Sequence, residues 1–161
     1  MPTNLYGPGD NYDLETSHVL PALIRKAHEA KMKGASELVV WGSGTPMREL
    51  LYVDDLADAC VFLTEKGISS GLYNIGTGND VTIRGLAETV MKVVGFNGRI
   101  TFDASKPDGT PRKLLDVTSM RNLGWQYRTA LDDGITLAYR DFLANKASIN
   151  AGTGAACGSV G

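Results

Sequence analysis

The chain has 161 residues, 43% of them hydrophobic and 21% charged, with a formal net charge of −2 at pH 7. These values are typical of one globular domain with its own hydrophobic core. The charge disfavours nucleic acid as a partner, because phosphate backbones select strongly basic surfaces. No apolar run approaches the roughly 20 residues that a membrane-spanning helix requires, so the sequence predicts no membrane partner.

The few cysteines and histidines predict neither a disulfide framework nor a zinc site. Cys60 and Cys157 are far apart in the sequence, and the two histidines, His18 and His28, lie ten positions apart. Disulfide-rich domains and zinc sites use more numerous or more closely spaced ligands. No basic segment followed by an apolar one opens the chain, so we expect no signal peptide and a cytoplasmic location. Spacing places Cys60 in a core and His28 on the surface.

In chain order, short strands alternate with amphipathic helices. Residues 1–9 form an extended segment that breaks into a Gly/Pro turn. Helical spacing and capping residues predict helices at Ser17–Lys33, between Asp54 and Gly67, at Ile83–Val94 after a Thr82 cap, over one turn at Thr118–Leu123, and from Thr129 onward. Short apolar runs predict strands at Leu38–Trp41, Arg48–Val53, Leu72–Ile75 and Arg99–Phe102.

This order of elements predicts a mixed α/β fold with too few strands for a complete doubly wound sheet. A stand-alone dinucleotide-binding domain needs such a sheet. Residues 1–145 carry the periodic apolar pattern, and we assign them to one domain. Residues 146–161 are rich in Ala, Gly and Ser, so we predict a disordered tail there.

The most obvious glycine-rich candidate is the segment from Asn74 to Gly78. It lies between a predicted strand and a predicted helix, where a phosphate could bind. The third glycine of the dinucleotide fingerprint is missing, because Val81 stands in its place. An acidic residue about 20 positions further on is missing too. We therefore favour a tight turn over a phosphate site.

Several segments of the chain resemble enzymes that modify nucleotide sugars. They are Pro2–Pro8, Trp41–Glu49, Val53–Asp55 and Asn74–Gly76, and they are similar to extended short-chain dehydrogenases/reductases. Two longer segments, Ser17–Leu23 and Lys106–Asp116, are similar to the GDP-L-fucose synthase family in particular. The resemblance extends from Met1 to about Asn145.

The resemblance implies an NAD-dependent epimerase/dehydratase fold and an NADPH-dependent enzyme. That family converts GDP-4-keto-6-deoxy-D-mannose into GDP-L-fucose by epimerising C3 and C5 and then reducing the C4 ketone. By resemblance, this chain is the C-terminal, substrate-binding half of an extended short-chain dehydrogenase/reductase, with the N-terminal Rossmann sheet largely missing. Its implied partners are a GDP-sugar, NADP(H), the missing N-terminal half and, at full length, a second subunit in a homodimer.

The same resemblance assigns roles to individual residues. His18 is implied as the acid/base of the epimerisations. The nicotinamide side of the cofactor site is implied to contain Pro2, Thr3, Asn4, Leu5 and His18. The GDP-sugar is implied to contact Lys26, Trp41, Arg48, Asp108 and Lys113, which is part of the Lys106–Lys113 loop. Lys26 stands where the family often has arginine, so one ammonium replaces a planar guanidinium.

Simpler interpretations of these residues stay open. From spacing alone, His18 is a capping or solvated residue, Trp41 is a core residue, and Arg48 is a surface charge. The family's glycine-rich fingerprint and its Tyr-x-x-x-Lys pair have no match in this sequence. We therefore expect no turnover by the chain alone. The alternatives are another nucleotide-sugar epimerase or dehydratase, or a non-catalytic nucleotide-sugar-binding fragment.

Overall fold

The computed structural model describes the backbone of residues 1–152 and the side chains of residues 1–145. Its helices are α1 (Val19–Met32), α2 (Val53–Glu65), α3 (Ile83–Val94), α4 (Thr118–Asn122) and α5 (Leu131–Gly152). Its strands are β1 (Asn4–Tyr6), β2 (Glu37–Trp41), β3 (Met47–Arg48), β4 (Leu50–Tyr52), β5 (Val81–Thr82), β6 (Arg99–Asp103) and β7 (Arg112–Lys113). The backbone of residues 146–152, the first part of the predicted tail, continues α5. Residues 153–161 lie outside the described residues, and their disorder stays a prediction.

The strands of the described residues form three small sheets. β1 pairs with β4 and β2 pairs with β6, both in parallel. In the third sheet β3 lies between β5, which is antiparallel to it, and β7, which is parallel to it. Parallel pairs need long crossover connections, and helices supply them here. This arrangement confirms the predicted mixed α/β fold, in which the described strands do not build a complete doubly wound sheet.

The larger core forms where α1, α3 and α5 pack together beside the β2–β6 pair. The apolar faces of these helices are buried as their spacing predicts. Thr82 caps α3 by accepting a hydrogen bond from the Gly85 amide at 3.0 Å, and Gly95 ends that helix at φ 72°. The buried side chains of α3 are Ile83, Leu86, Ala87, Val90 and Val94.

A second, smaller core lies on the other side of β4. It contains Leu51, Ala59, Ile75, Met120 and Trp125. The Trp125 indole N–H donates to Asp58 Oδ2 at 2.8 Å, which satisfies the polar edge of a buried ring. This core joins α2 and α4 to the β1–β4 pair.

Two predicted strands differ from the structure. The Arg48–Val53 strand is interrupted at Glu49, and Val53 already begins α2. The Leu72–Ile75 strand is absent, apart from a single bridge between Ile75 and Pro2. Leu72 is largely exposed, so the apolar run that suggested a buried strand is only partly buried.

Three predicted side-chain environments are also wrong. Cys60 is exposed, because α2 turns Asp55 and Ala59 towards the interior instead. His28 is only 5% exposed, and its Nδ1 lies 2.9 Å from the Tyr139 hydroxyl. The helix cap predicted at Ser17 falls one residue later, since His18 occupies the N-cap position of α1. Within the described residues, no helix has the length and apolar character needed to cross a bilayer.

Candidate functional site

A cleft of about 240 Å³ lies between α1, the end of β2 and the loop that precedes β7. Four of the five residues predicted to bind a GDP-sugar line this cleft: Lys26, Trp41, Arg48 and Asp108. They come from different elements, so only the fold brings them together. Leu14, Glu15, Ser17, Val19, Ala22, Leu23, Val40, Ile83 and Pro107 complete the lining.

Trp41 presents an aromatic face that is bordered by two ammonium groups. The residue is 50% exposed, which contradicts a core position. Lys26 Nζ lies 4.4 Å from the ring centroid and Lys106 Nζ lies 5.1 Å from it, both within cation–π range. Burial lowers the pKa of Lys26, an effect that Asp103 opposes and that Lys106 reinforces. An apolar ring beside positive charge suits a base attached to a diphosphate.

Arg48 is half-buried at the inner wall of the cleft. Its Nη1 donates to the carbonyl oxygens of Met47 at 2.8 Å and Thr110 at 2.6 Å. These bonds fix the guanidinium and attach it to the loop before β7. A guanidinium that is held in place by part of its donors is well suited to bind phosphate with the others. Arg48 is therefore not merely a surface charge.

Asp108 connects that loop to the turn after β2. Its carboxylate accepts hydrogen bonds from the Ser43 amide at 2.6 Å and the Ser43 hydroxyl at 2.8 Å. These two bonds lower the pKa of Asp108 below its usual value. Gly42 leaves the space for this contact, since a β-carbon there would lie 2.3 Å from Asp108 Oδ1. Asp108 thus closes one side of the cleft with its carboxylate already engaged.

His18 occupies the N-cap position of α1, between Ser17 and Val19, which line the cleft, but His18 itself is not part of the lining. It is exposed, and its backbone carbonyl accepts the Ala22 amide at 3.1 Å. Its side chain makes no capping hydrogen bond, so the structure does not support a side-chain capping role. The neighbouring Ser17 hydroxyl lines the cleft and is buried without a hydrogen-bond partner among the described residues.

Pro2, Thr3, Asn4 and Leu5 lie away from this cleft, beside Glu49 and Ile75. The Thr3 amide donates to the Ile75 carbonyl at 3.1 Å, while Thr3 Oγ1 and Asn4 Nδ2 donate to the Glu49 carbonyl at 3.2 and 2.7 Å. Leu5 packs against the smaller core. The segment is consequently held through its side chains as well as through β1.

The comparisons with known proteins agree with this geometry. Residues 1–76 match the NAD dependent epimerase/dehydratase family. GDP-L-fucose synthase 1 of Arabidopsis thaliana is 57% identical over 145 residues, which are 90% of this chain and 45% of that protein. GDP-L-fucose synthase of Escherichia coli K12 is 54% identical over 155 residues, covering 91% of this chain and 48% of that protein. The chain is homologous to the GDP-L-fucose synthases.

A solved structure extends the likeness to three dimensions. The GDP-L-fucose synthetase of Naegleria fowleri bound to NADP matches with a TM-score of 0.83 and 32% identity, over 91% of this chain and 46% of that one. The chain therefore spans about half the length of the synthases that it matches. These findings confirm the resemblance that the sequence motifs indicated.

Lys113 and the neighbouring Arg112 do not line the cleft, unlike Lys26 and Arg48. Both are exposed in β7. Arg112 Nε donates to Asp80 Oδ2 at 2.5 Å, so its charge is already paired. Lys113 is the neighbour of Arg48 in the β3–β7 pairing, but it does not line the cleft with Lys26 and Trp41. Among the described residues, no group of three or more His, Cys, Asp or Glu side chains is placed to hold a metal ion.

Glu49 is the residue that sequence reasoning missed. It is 0% exposed, and its Oε1 accepts the Gly78 amide at 2.7 Å while its Oε2 accepts the Leu115 amide at 2.9 Å. The glycine-rich turn therefore surrounds a carboxylate of the chain itself. The available signal was an acidic residue directly before the apolar run Leu50-Leu51-Tyr52.

Proposed function

We propose that this chain supplies the substrate half of an NADP(H)-dependent epimerase-reductase that converts GDP-4-keto-6-deoxy-D-mannose to GDP-L-fucose. The observation that carries the proposal is the cleft in which Lys26, Trp41 and Arg48 converge. The homology to GDP-L-fucose synthases supports the same conclusion. We place the reaction in the cytoplasm, where the sequence predicts the protein to be.

The nucleotide occupies the cleft through stacking and charge. The base stacks against the exposed face of Trp41, and the diphosphate binds Arg48 and the ammonium groups of Lys26 and Lys106. On binding, the two lysines exchange their contact with the indole for phosphate oxygens. The buried Ser17 hydroxyl, which has no partner among the described residues, provides a further hydrogen bond to the ligand. Asp108 keeps the loop closed over the nucleotide.

The cofactor is bound mainly by residues outside this chain. The Gly76–Gly78 turn does not fit a pyrophosphate, because the Gly78 amide already binds Glu49. Pro2, Thr3, Asn4 and Leu5 form a rigid edge that would lie along the nicotinamide, and the bound cofactor would supply a hydride. The part of the synthases that this chain does not span would hold the phosphates.

His18 carries the proton transfers of epimerisation in this proposal. The His18 imidazole is exposed and makes no capping hydrogen bond, so it is accessible as a general acid and base. The sugar would extend from the diphosphate towards α1, where His18 begins the helix. The acid that protonates the C4 oxygen would come from the part of the synthases that this chain does not span, and the full-length protein would act as a homodimer.

A second candidate function is favoured by the length of the match. Because the chain spans about half of the synthases, a non-catalytic nucleotide-sugar-binding fragment would have the same cleft. Both candidates require GDP binding, and they differ only in whether the complementary half joins this one to form an active enzyme.

Calorimetric titration of the 161-residue chain with GDP tests the proposal. We expect saturable binding that Arg48→Ala weakens by roughly ten- to a hundredfold, the effect of losing a charge-assisted contact. Arg99→Ala is the matched control, since Arg99 forms only a surface ion pair with Glu37 at 3.3 Å. Equal affinity of both variants, or equal binding of GDP and UDP by the wild type, would count against a GDP-sugar site.

A further inference from the structure

We propose that Glu49 is a positioning residue that holds the nucleotide-sugar cleft in register with the 2–4 segment. The inference rests on the proposed function, because it takes the cleft as the nucleotide-sugar site. It concerns a residue that lies next to Arg48 in the sequence but does not line the cleft itself.

The carboxylate of Glu49 joins two segments that are distant in sequence. Oε1 accepts the Gly78 amide at 2.7 Å and lies 3.5 Å from Thr77 Oγ1, while Oε2 accepts the Leu115 amide at 2.9 Å. A fully buried carboxylate is costly unless hydrogen bonds satisfy it. Thr77, Gly78 and Leu115 supply these bonds, and the need to satisfy the buried carboxylate fixes both segments relative to β3 and β4.

The backbone of Glu49 joins a third segment and the β7 strand. Its carbonyl accepts Thr3 Oγ1 at 3.2 Å and Asn4 Nδ2 at 2.7 Å. Its amide donates to the Lys113 carbonyl at 3.3 Å. One residue thus contacts the proposed nicotinamide edge, the glycine-rich turn and the strand that follows the cleft loop.

The glycine-rich turn is shaped to receive this carboxylate. A β-carbon on Gly76 would lie 2.3 Å from Glu49 Oε1, so any other residue would displace it. The geometry explains why a Gly-x-Gly segment is present although it does not bind a cofactor phosphate. The Gly78 amide of this turn donates to the buried Glu49 carboxylate, which therefore has a structural role.

Displacing the Glu49 side chain would move Arg48 and the loop that precedes β7. Arg48 pairs with Lys113 in the β3–β7 register and donates to the Thr110 carbonyl. The same loop carries Asp108, which closes the cleft through Ser43. If the bond to Leu115 is lost, the loop and the Arg48 acceptor shift together.

Glu49→Gln tests this arrangement with almost no change in size. Both carboxylate oxygens accept backbone amides, so either orientation of the glutamine sets an NH₂ group against an N–H donor. Asp55→Asn is the matched control. Asp55 is likewise buried, with 5% of its surface exposed, and its two oxygens accept the Arg128 and Thr129 amides at 3.1 and 3.0 Å, yet it does not line the cleft.

The experiment measures thermal unfolding, GDP affinity and amide hydrogen exchange for the wild-type chain and both variants. We expect comparable losses of melting temperature, but a GDP affinity that is roughly tenfold lower only in Glu49→Gln. Exchange in residues 104–115 should accelerate in that variant alone. A merely structural role would give both variants the same GDP affinity, which would overturn the inference.

Failure of the proposed function can be told apart from failure of the Glu49 inference. If the wild-type chain binds no GDP, the proposed function fails. Amide hydrogen exchange then tests Glu49 alone, because unchanged protection of residues 104–115 in Glu49→Gln would overturn the positioning role. If Glu49→Gln does not fold, Gly76→Ala displaces the same carboxylate without changing its charge. It should reproduce the accelerated exchange, and normal protection in it would contradict the proposal.

Discussion

Gly44 tests how closely the turn after β2 packs against β6. Its φ of +79° lies in the left-handed region, and a β-carbon there would be 2.1 Å from Phe102 Cε1 and 2.6 Å from Cζ. Phe102 lies in β6, and the Arg84 guanidinium is 4.3 Å from its ring centroid. The ring is therefore held between two neighbours, and Gly44→Ala forces it to move.

The destabilisation caused by Gly44→Ala has two parts, a backbone part and a packing part. The same substitution at Gly34 allows them to be measured separately. Gly34 has a φ of +63° with no described atom within 4 Å of an added β-carbon, so Gly34→Ala reports the backbone part alone. That part is about 1–2 kcal/mol for an L-residue in the left-handed region. Displacing the Phe102 ring adds about 1–3 kcal/mol, the usual cost of overpacking. Gly44→Ala should therefore lower the free energy of unfolding by about 2–5 kcal/mol.

Urea unfolding followed by circular dichroism measures both variants against the wild type. The dependence of the unfolding free energy on urea should stay the same, so that midpoints compare directly. Equal destabilisation by Gly44→Ala and Gly34→Ala would refute the reasoning, because the contact with Phe102 would then contribute nothing.

The remaining predictions concern the proposed chemistry and its pH dependence. When the chain is joined to the rest of a GDP-L-fucose synthase, His18→Asn should slow deuterium uptake at C3 or C5 by about a hundred- to ten-thousandfold in deuterated water without NADPH. Undiminished uptake at both carbons in a folded variant would remove His18 from the mechanism. Because bonds from Ser43 lower the pKa of Asp108, the loop attachment should be complete above the usual pKa and lost as pH falls through the lowered one. In a Trp125→Phe background, where only Trp41 emits, tryptophan fluorescence should report this acid transition, and the added change Asp108→Asn should abolish it.

Local signals determined which helices the sequence could predict. The α3 helix has its apolar stripe, its Thr82 cap and its closing Gly95 within one continuous segment, and the prediction is confirmed. The buried face of α2 was misplaced because Asp55 is satisfied by amides of residues 128 and 129, more than seventy positions away. An apolar pattern cannot reveal such a partner, so Cys60 was assigned to a core that it does not enter.

The resemblance implied a common site for Lys26, Trp41, Arg48 and Asp108, and the structure places these four residues around one cleft. Their binding role stays a prediction. Their convergence depends on crossover connections that periodicity does not specify. Glu49 escaped notice because its partners come from three distant segments, and a single acidic letter beside an apolar run does not show them.

The pairing of the first residues with distant ones has a consequence for synthesis on the ribosome. β1 is synthesised before its partner β4, which lies more than forty residues later in the chain. The Tyr12 hydroxyl donates to the Ala138 carbonyl, and the Gly9 amide donates to Asp141. At about 5–20 residues per second, residues 4–12 wait several seconds before α5 is synthesised. β1 lacks these partners throughout that interval, so slower translation should raise the misfolded fraction.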